Sequence, residues 1–414
     1  MITSGEPGGI AETHDHSTEH PNRPSLKPEL SPTEVCDLPE QFSLVREIGA
    51  IDPTQWNRLA GGHPLVRHEF LLALDQTGCA VAETGWAPHY LLLHRDGQLA
   101  GAMPLYAKSH SRGEYVFDMA WARAFMQNGL DYYPKLLAAI PFTPVPGPRL
   151  LAERHTDRVL LARQAIALTR QNALSSLHVL FPTEDDRAAL QEAGFMIRES
   201  VQFHWHNRGY ASLDDFLSDM SQPKRKKLKQ DRQKSARAGV EFRWVQGQAI
   251  DEATLDFFYE CYCRTYYEHG NAPYLNREFF SRIRQTMAEH LLIVLALQQG
   301  RPIASALNIR SNDRLYGRYW GAVQYIPGLH FETCYLQAIE YCIAHGLQAF
   351  EGGAQGEHKL SRGMLPVRTV SAHWIRDARY SQAIADFLDR ETEAIGDYVN
   401  ELETHSPFKA AAQD

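Results

Sequence analysis

Two stretches of the chain, about 200 residues apart, carry the same pattern. Residues Tyr90–Ser109 (YLLLHRDGQLAGAMPLYAKS) and Leu292–Ser311 (LIVLALQQGRPIASALNIRS) each read as an apolar strand, a turn with a glycine (Gly97, Gly300) and a second strand. A third strand candidate follows each, Gly113–Ala122 and Asp313–Ala322, so each copy predicts an antiparallel meander. Helical patterns precede both meanders. Another helical pattern follows each, Tyr132–Ile140 in the first copy and Phe331–Gly346 in the second. The latter is apolar at Tyr335, Ile339, Cys342 and Ile343 and is closed by Gly346. Leu347–Phe350 then predicts a short strand. A repeat this long implies a duplicated domain rather than a solenoid, and 414 residues suffice for two cores.

The expected fold class is therefore α/β (α+β by strict class), with mixed, mainly antiparallel sheets flanked by helices. We place the boundary near residue 200. The expected organisation is a disordered tail over 1–38, a first domain over 39–200, a second over 201–390, and a C-terminal helix and tail over 391–414.

The chain carries a formal net charge of −8. A dominant nucleic-acid binder is usually basic, so any polyanion site here is local, and DNA is not an expected partner. The local candidate is Lys224–Lys234, with seven Lys/Arg and one Asp; Pro223 can start this helix and Gly239 can end it. Six cysteines in so long a chain make no disulfide framework or zinc knuckle, and a cytoplasmic location is expected. No apolar run approaches the roughly 20 residues that cross a bilayer; Leu291–Leu297 reads as a buried strand. The N-terminus lacks a signal pattern. Its HDHSTEH segment (His14–His20) reads as solvated tail, and no metal site is expected.

Chemistry-bearing residues concentrate in Glu351–Gly363, EGGAQGEHKLSRG. It is no Walker loop, because Gly356 is followed by Glu357. The dinucleotide fingerprint, H-E-x-x-H and G-x-S-x-G are absent, and Ser221–Lys224 matches S-x-x-K only as part of the basic run. Glycines let backbone approach a ligand, Lys359 and Arg362 can hold phosphate or carboxylate, and His358 can move a proton near neutral pH.

Several motifs together resemble a known family. They are FDMAWA (117–122), YYPKLL (132–137), PFTPVPGPRLL (141–151), YWG (319–321), LHFETCYLQ (329–337), FEGGAQGEHKLSRG (350–363) and SAHW (371–374). The chain resembles the Fem-like predicted N-acyltransferases, a peptidoglycan-biosynthesis-related group, and the order of elements resembles the GCN5-related N-acyltransferase fold used twice.

The resemblance implies acyl transfer to an amine in a gap between the fourth and fifth strands of the second domain. It places Glu351 at the mouth of that gap as a base, with Glu357, His358 and Glu332 as further acid–base candidates. Donor phosphate is expected at the helix starting near Phe331, with Gly328, His330, Lys359 and Arg362 around it. Tyr106, Asp118, Trp121 and Trp320, together with Tyr132 and Lys135, are expected to line an acceptor groove for a small molecule or peptide. No tightly bound cofactor is implied. The chain is acidic and lacks the long helical hairpin of some Fem enzymes, so acyl-CoA is the expected co-substrate ahead of aminoacyl-tRNA. A non-catalytic acyl- or peptide-binding protein is the remaining alternative.

Overall fold

The computed structural model describes residues 41–353 and 356–409; the tail, His14–His20 included, lies outside them. The first half contains β1 (Phe42–Val45), α1 (Pro53–Leu59), α2 (His68–Gln76), β2 (Trp86–Arg95), β3 (Gln98–Lys108), α3 (Met119–Gln127) and β4 (Lys135–Ala138). It continues with β5 (Leu151–Ala152), α4 (His155–Gln171), β6 (Ser176–Leu180), α5 (Glu184–Glu192) and β7 (Met196–His206). The second half has α6 (Leu213–Asp219), α7 (Gln222–Arg237), β8 (Val240–Gln246), α8 (Glu252–Glu268), α9 (Arg277–Met287), β9 (Leu291–Gln298), β10 (Arg301–Arg310) and β11 (Arg314–Ala322). A helical run follows, α10 (Leu329–Phe331), a π-helical stretch (Glu332–Leu336) and α11 (Gln337–Ala344). The chain then forms β12 (Ala349–Glu351), a 3₁₀ turn (Glu357–Arg362), β13 (Leu365–Ile375) and α12 (Ala378–Thr404).

The duplication is visible in the pairing. β2, β3 and β4 pair antiparallel in turn and β4 pairs β6 in parallel. β9, β10 and β11 do the same, and β11 pairs β12 in parallel. All strands join one mixed, mainly antiparallel sheet in the order β1-β2-β3-β4-β6-β13-β7-β12-β11-β10-β9-β8, with β5 on β3. The centre of this order is an exchange. β7 follows β6 in sequence but lies beside β12, and β13 follows β12 but lies beside β6. β7 and β13 pair with each other along Met196–His204, so residue 200 lies inside a paired strand.

One face of the sheet carries a core drawn from both halves, including Trp56, Phe70, Tyr106, Phe258, Phe279 and Tyr316. Phe70 of α2 meets Phe279 of α9 edge-on at 5.5 Å between ring centroids. On the other face each half buries its own cluster, Leu161 and Leu177 in one and Phe216 and Ile339 in the other.

Two sequence expectations fail in the first half. Gly113–Ala122 is not a strand: the chain turns into α3, burying Trp121 and Phe125 four residues apart while Phe117 and Met119 face solvent. Apolar residues that read as alternating are used at helical spacing. Tyr132–Ile140 is not a helix but β4, whose four residues are buried on both faces between β3 and β6. A short apolar run does not distinguish a central strand from a buried helix. The second copy follows expectation closely, with β11 and the helical run in place, and the short strand two residues late at Ala349–Glu351. α7 begins beside Pro223, and Gly239 beyond its end has φ +69°.

The exchange predicts that the halves lose structure together. Ala372 sits fully buried in β13 between Val179 of β6 and Ile197 of β7. Ala372→Glu buries an unpaired carboxylate there and should cost about 3 kcal/mol or more. Hydrogen exchange should show protection falling in parallel in β2–β3 and β9–β10. Loss confined to one of these hairpins would show that the halves are independent.

Candidate functional site

β11 and β12 are paired over three positions only, Arg314↔Ala349, Leu315↔Phe350 and Tyr316↔Glu351. Beyond them β11 runs on to Ala322, whereas β12 stops and the chain turns away through Gly352 and Gly353. The gap-facing edge of β11 there has no strand partner. Two local features shape this edge. The β10–β11 register shifts at Leu307/Asn308, where Leu307 faces Tyr319 and Asn308 faces Gly317, leaving Arg318 as the extra residue of a bulge. At Gly321 the α8 backbone lies so close that a Cβ would stand 1.9 Å from the carbonyl oxygen of Cys261, so only glycine lets α8 pack against β11.

A cavity of about 330 Å³ fills the gap. Tyr262, Thr265 and Tyr266 of α8 form one wall, and Asn308 of β10 with Arg318, Tyr319 and Trp320 of β11 form the next. His330, Cys334 and Tyr335 of the helical run stand opposite, with Phe350, Gly352 and Gly353 at the end of β12, and Tyr115 and Pro144 reach in from the first half. No carboxylate is among these lining residues. Arg318 is tied to the first half, its Nη2 donating to the Phe142 carbonyl at 2.7 Å and to Thr143 Oγ1 at 3.0 Å. Burial raises the tyrosines; Tyr319 is pushed up to about 12, so the phenols are neutral at pH 7. Burial also holds the Cys334 thiol well above its usual range.

Of the fourteen residues singled out from sequence, the structure brings two to this cavity, Trp320 and His330. The His330 ring lies 4.9 Å from that of Trp320 and 5.6 Å from that of Tyr335. It lines the cavity while keeping part of its surface in solvent; desolvation on the cavity side and the nearby His358 and Lys359 lower its pKa, so the imidazole is neutral at pH 7.

Glu351 turns away from the cavity. It is buried, accepts from Arg314 Nη1 at 3.2 Å and keeps its other oxygen without a partner; burial raises its pKa to about 7. Glu332 is buried in the π-helical stretch against Arg232 at 3.2 Å and accepts from Gln337 at 3.1 Å. Glu357 is exposed and accepts from the Tyr398 hydroxyl of α12 at 2.6 Å. His358 reaches the cavity only through the Tyr335 hydroxyl, at 3.3 Å.

Lys359 and Arg362 point to different neighbours. Lys359 is buried and donates to the Gly353 carbonyl at 3.0 Å, bracing the cavity wall from behind; burial lowers its pKa to about 8. Arg362 lies 3.5 Å from the centre of the Phe331 ring and reaches Asp231 of α7 at 3.4 Å. Gly328 has φ +85°, and the Asp231 carbonyl oxygen stands 3.2 Å from where its Cβ would be. α7 thus packs against one side of the turn expected to cradle phosphate, while Pro327 of that turn stays exposed.

Tyr106 is in the shared core, edge-on to Trp86 at 5.3 Å. Asp118 and Trp121 belong to a sealed polar cluster in the first half. Lys135 is buried there between Asp118 and Glu114, the Tyr132 hydroxyl donates to Asp118 at 2.7 Å, and Trp121 meets His373 edge-on. The lysine holds the Asp118 carboxyl well below its usual range against the opposing effect of burial. Sequence reasoning missed Asn308, Arg318, Tyr115 and the α8 tyrosines. The spacing of Tyr262 and Tyr266, four apart on one helix face, was the available signal. Among the described residues no group of three or more His, Cys, Asp or Glu could hold a metal ion, and no helix is long and apolar enough to cross a membrane.

The raised pKa of Glu351 has a stability consequence. Between about 4.5, its ordinary value, and about 7, the folded state binds the proton more tightly than the unfolded one. Stability from this group is therefore present below that window and is lost as pH rises through it, with a slope of up to about 1.4 kcal/mol per pH unit. Glu351→Gln should flatten this part of the urea-unfolding profile. An unchanged slope would place the titration elsewhere.

A family model named FemAB-like, described as peptidoglycan biosynthesis/recognition, matches residues 47–410. The crystal structure of FemX is similar over 83% of this chain and 100% of its own, with 12% identity and a TM-score of 0.52. The structure of L-PGS from Bacillus licheniformis is similar over 82% of this chain and 96% of its own, with 11% identity and a TM-score of 0.51. At such identities the likeness is one of fold. No curated protein matches the chain. The match to the family model spans nearly all of the described fold, cavity included, and the chain belongs to the FemAB-like family.

Proposed function

We propose that the protein transfers an aminoacyl group from an ester donor to an amine on a peptidoglycan precursor, in the cavity between β11 and β12. The observation that carries this reading is the cavity itself, a gap bordered by an unpaired strand edge, free of carboxylates and faced by a neutral imidazole. The family description supports the peptidoglycan acceptor.

An acceptor amine arrives as an ammonium and must lose a proton before its nitrogen can attack. We assign proton removal to His330, because it faces the cavity and Glu351, Glu357 and Glu332 do not. As the nitrogen–carbon bond forms, the carbonyl oxygen gains charge, and free N–H groups along the unpaired edge of β11 can stabilise it. The ester carbon–oxygen bond then breaks, the leaving oxygen takes up a second proton from the nitrogen, and His330 releases the first to solvent.

For the donor we reverse the order expected from sequence. α7 packs against one side of the Gly328 turn and narrows the position where the phosphate of a coenzyme A thioester would rest. α7 also presents Lys224, Lys226, Lys227 and Lys229 to solvent and packs on the helical run and on the Glu357–Arg362 turn. This basic strip on an acidic chain favours a polyanionic donor, aminoacyl-tRNA.

Two measurements test the reading. Binding of tRNA in gel shift should weaken steeply with salt, and Lys226→Ala/Lys227→Ala/Lys229→Ala should reduce the slope of log K against log salt by roughly 0.7–0.9 per lost phosphate contact. Displacement of tRNA by acetyl-CoA, or a slope indifferent to the triple substitution, would count against it. With charged tRNA and a lysine-containing muropeptide, His330→Ala should lower kcat/KM by ~10²–10⁴-fold at unchanged Tm. The wild-type pH profile should show no break near 6.5, since His330 is already neutral there. A break at 6.5 that vanishes in His330→Ala would contradict its lowered pKa.

A further inference from the structure

Asn308 is an anomaly in the cavity wall. It lies on strand β10, is 1% exposed, and its amide nitrogen Nδ2 is buried with no hydrogen-bond partner among the described residues. Buried polar groups are nearly always paired, and a buried donor left unmade is among the costlier things a folded core can contain. The β10 residues that line the cavity with it, Ala306 and Leu307, are buried and apolar.

The surroundings leave room for a ligand at this amide. Asn308 is paired with Gly317, which presents no side chain, at the bulge that sets Arg318 aside. A Cβ at Gly317 would stand 3.1 Å from the Phe350 ring, and one at Gly353 would stand 3.7 Å from the Gly317 carbonyl oxygen. Asn308, Gly317 and Gly353 all line the cavity, in a lane closed on one side by the Phe350 ring. The broad terminal torsion of asparagine lets the NH₂ group turn into that lane.

The charge around the lane decides which ligand group belongs there. Arg318 and His330 line the cavity, Lys359 stands behind Gly353, and no lining residue is a carboxylate. Beside Asn308 such a setting favours an electron-rich oxygen over a cation, while the neutral imidazole of His330 leaves the acceptor ammonium its own place in the cavity. We propose that Asn308 donates its amide N–H to the carbonyl oxygen of the transferred group, aligning it in the ground state and strengthening that bond as charge develops. This rests on the acyl-transfer reading for its reaction, but the carbonyl subsite exists independently of which donor brings the group.

The experiment compares wild type with Asn308→Leu, Asn308→Ala and Asn308→Asp. In the unliganded protein, Asn308→Leu should melt at or above the wild-type temperature, because it removes an unmade buried donor with the same branching, and the adjoining cavity takes up the added methyl volume. Binding is followed by NMR with N-acetylglycine methyl ester as carbonyl probe and tetramethylammonium as cationic probe. Wild type should bind the ester more tightly than the cation, and the Leu and Asp variants should lose the ester. In the transfer assay the same variants should lower kcat by about 10²–10³-fold with a smaller change in KM. Ester binding by wild type, lost in the variants, with no transfer from charged tRNA would sink the tRNA reading and leave the subsite standing. Four results would overturn the subsite: no ester binding by wild type, ester binding or transfer undiminished in Asn308→Leu, tighter cation binding in Asn308→Asp than ester binding in wild type, or a marked drop in the melting temperature of Asn308→Leu.

Discussion

The exchange of β7 and β13 across the middle of the sheet is the constraint on which the other features depend. Each of these strands completes the half to which it does not belong in sequence. β12 is therefore held on one side by β7, over Ala349–Glu351, and on the other by only three residues of β11. That short double hold fixes where β12 ends and where the cavity begins. It also brings the first-half loops carrying Tyr115 and Pro144 to the cavity, with Arg318 anchored to Phe142 and Thr143.

The two copies put the same topology to different uses. In the first half the parallel β4–β6 pair is flanked by a filled interior, where Lys135 pairs with Asp118 and Glu114, the Tyr132 hydroxyl donates to Asp118 and His178 meets His373 at 2.7 Å. One oxygen of each carboxylate stays without a partner among the described residues, and the buried lysine between them offsets that cost. In the second half the equivalent position is open, walled by aromatic rings and lacking carboxylates. The divergence lies in side chains, not in strand order.

What the sequence disclosed follows from periodicity. The β-hairpins Tyr90–Ser109 and Leu292–Ser311 alternate or run apolar between glycine turns, and they are β2–β3 and β9–β10. The helix after β11 was legible because Tyr335, Ile339 and Cys342 keep one face. The first-half segments 113–122 and 132–140 were misread because each is a short apolar run whose state is set by tertiary packing. The strand exchange left no local mark, since which neighbour a strand chooses is a long-range decision. At the site, Glu351 was placed correctly in the chain but its direction was not, because a strand side chain points to one face or the other by register. Asn308 was invisible for the opposite reason. One polar residue in a buried strand is ordinary in sequence, and only the absence of a partner in space makes it informative.

The order of synthesis gives the exchange a temporal meaning. β6 ends at Leu180 and its neighbour β13 begins at Leu365, about 185 residues later. At ribosomal rates of ~5–20 residues per second, the wait is on the order of ten to forty seconds. Through that interval the β6 edge has no native partner, and an open strand edge invites pairing with other chains. β7 leaves the ribosome long before β12 does and pairs first with whatever is present. The nascent chain thus passes through a state in which its central strands are made but not yet sorted, and its yield in a cell depends on what shields them until the last strand arrives.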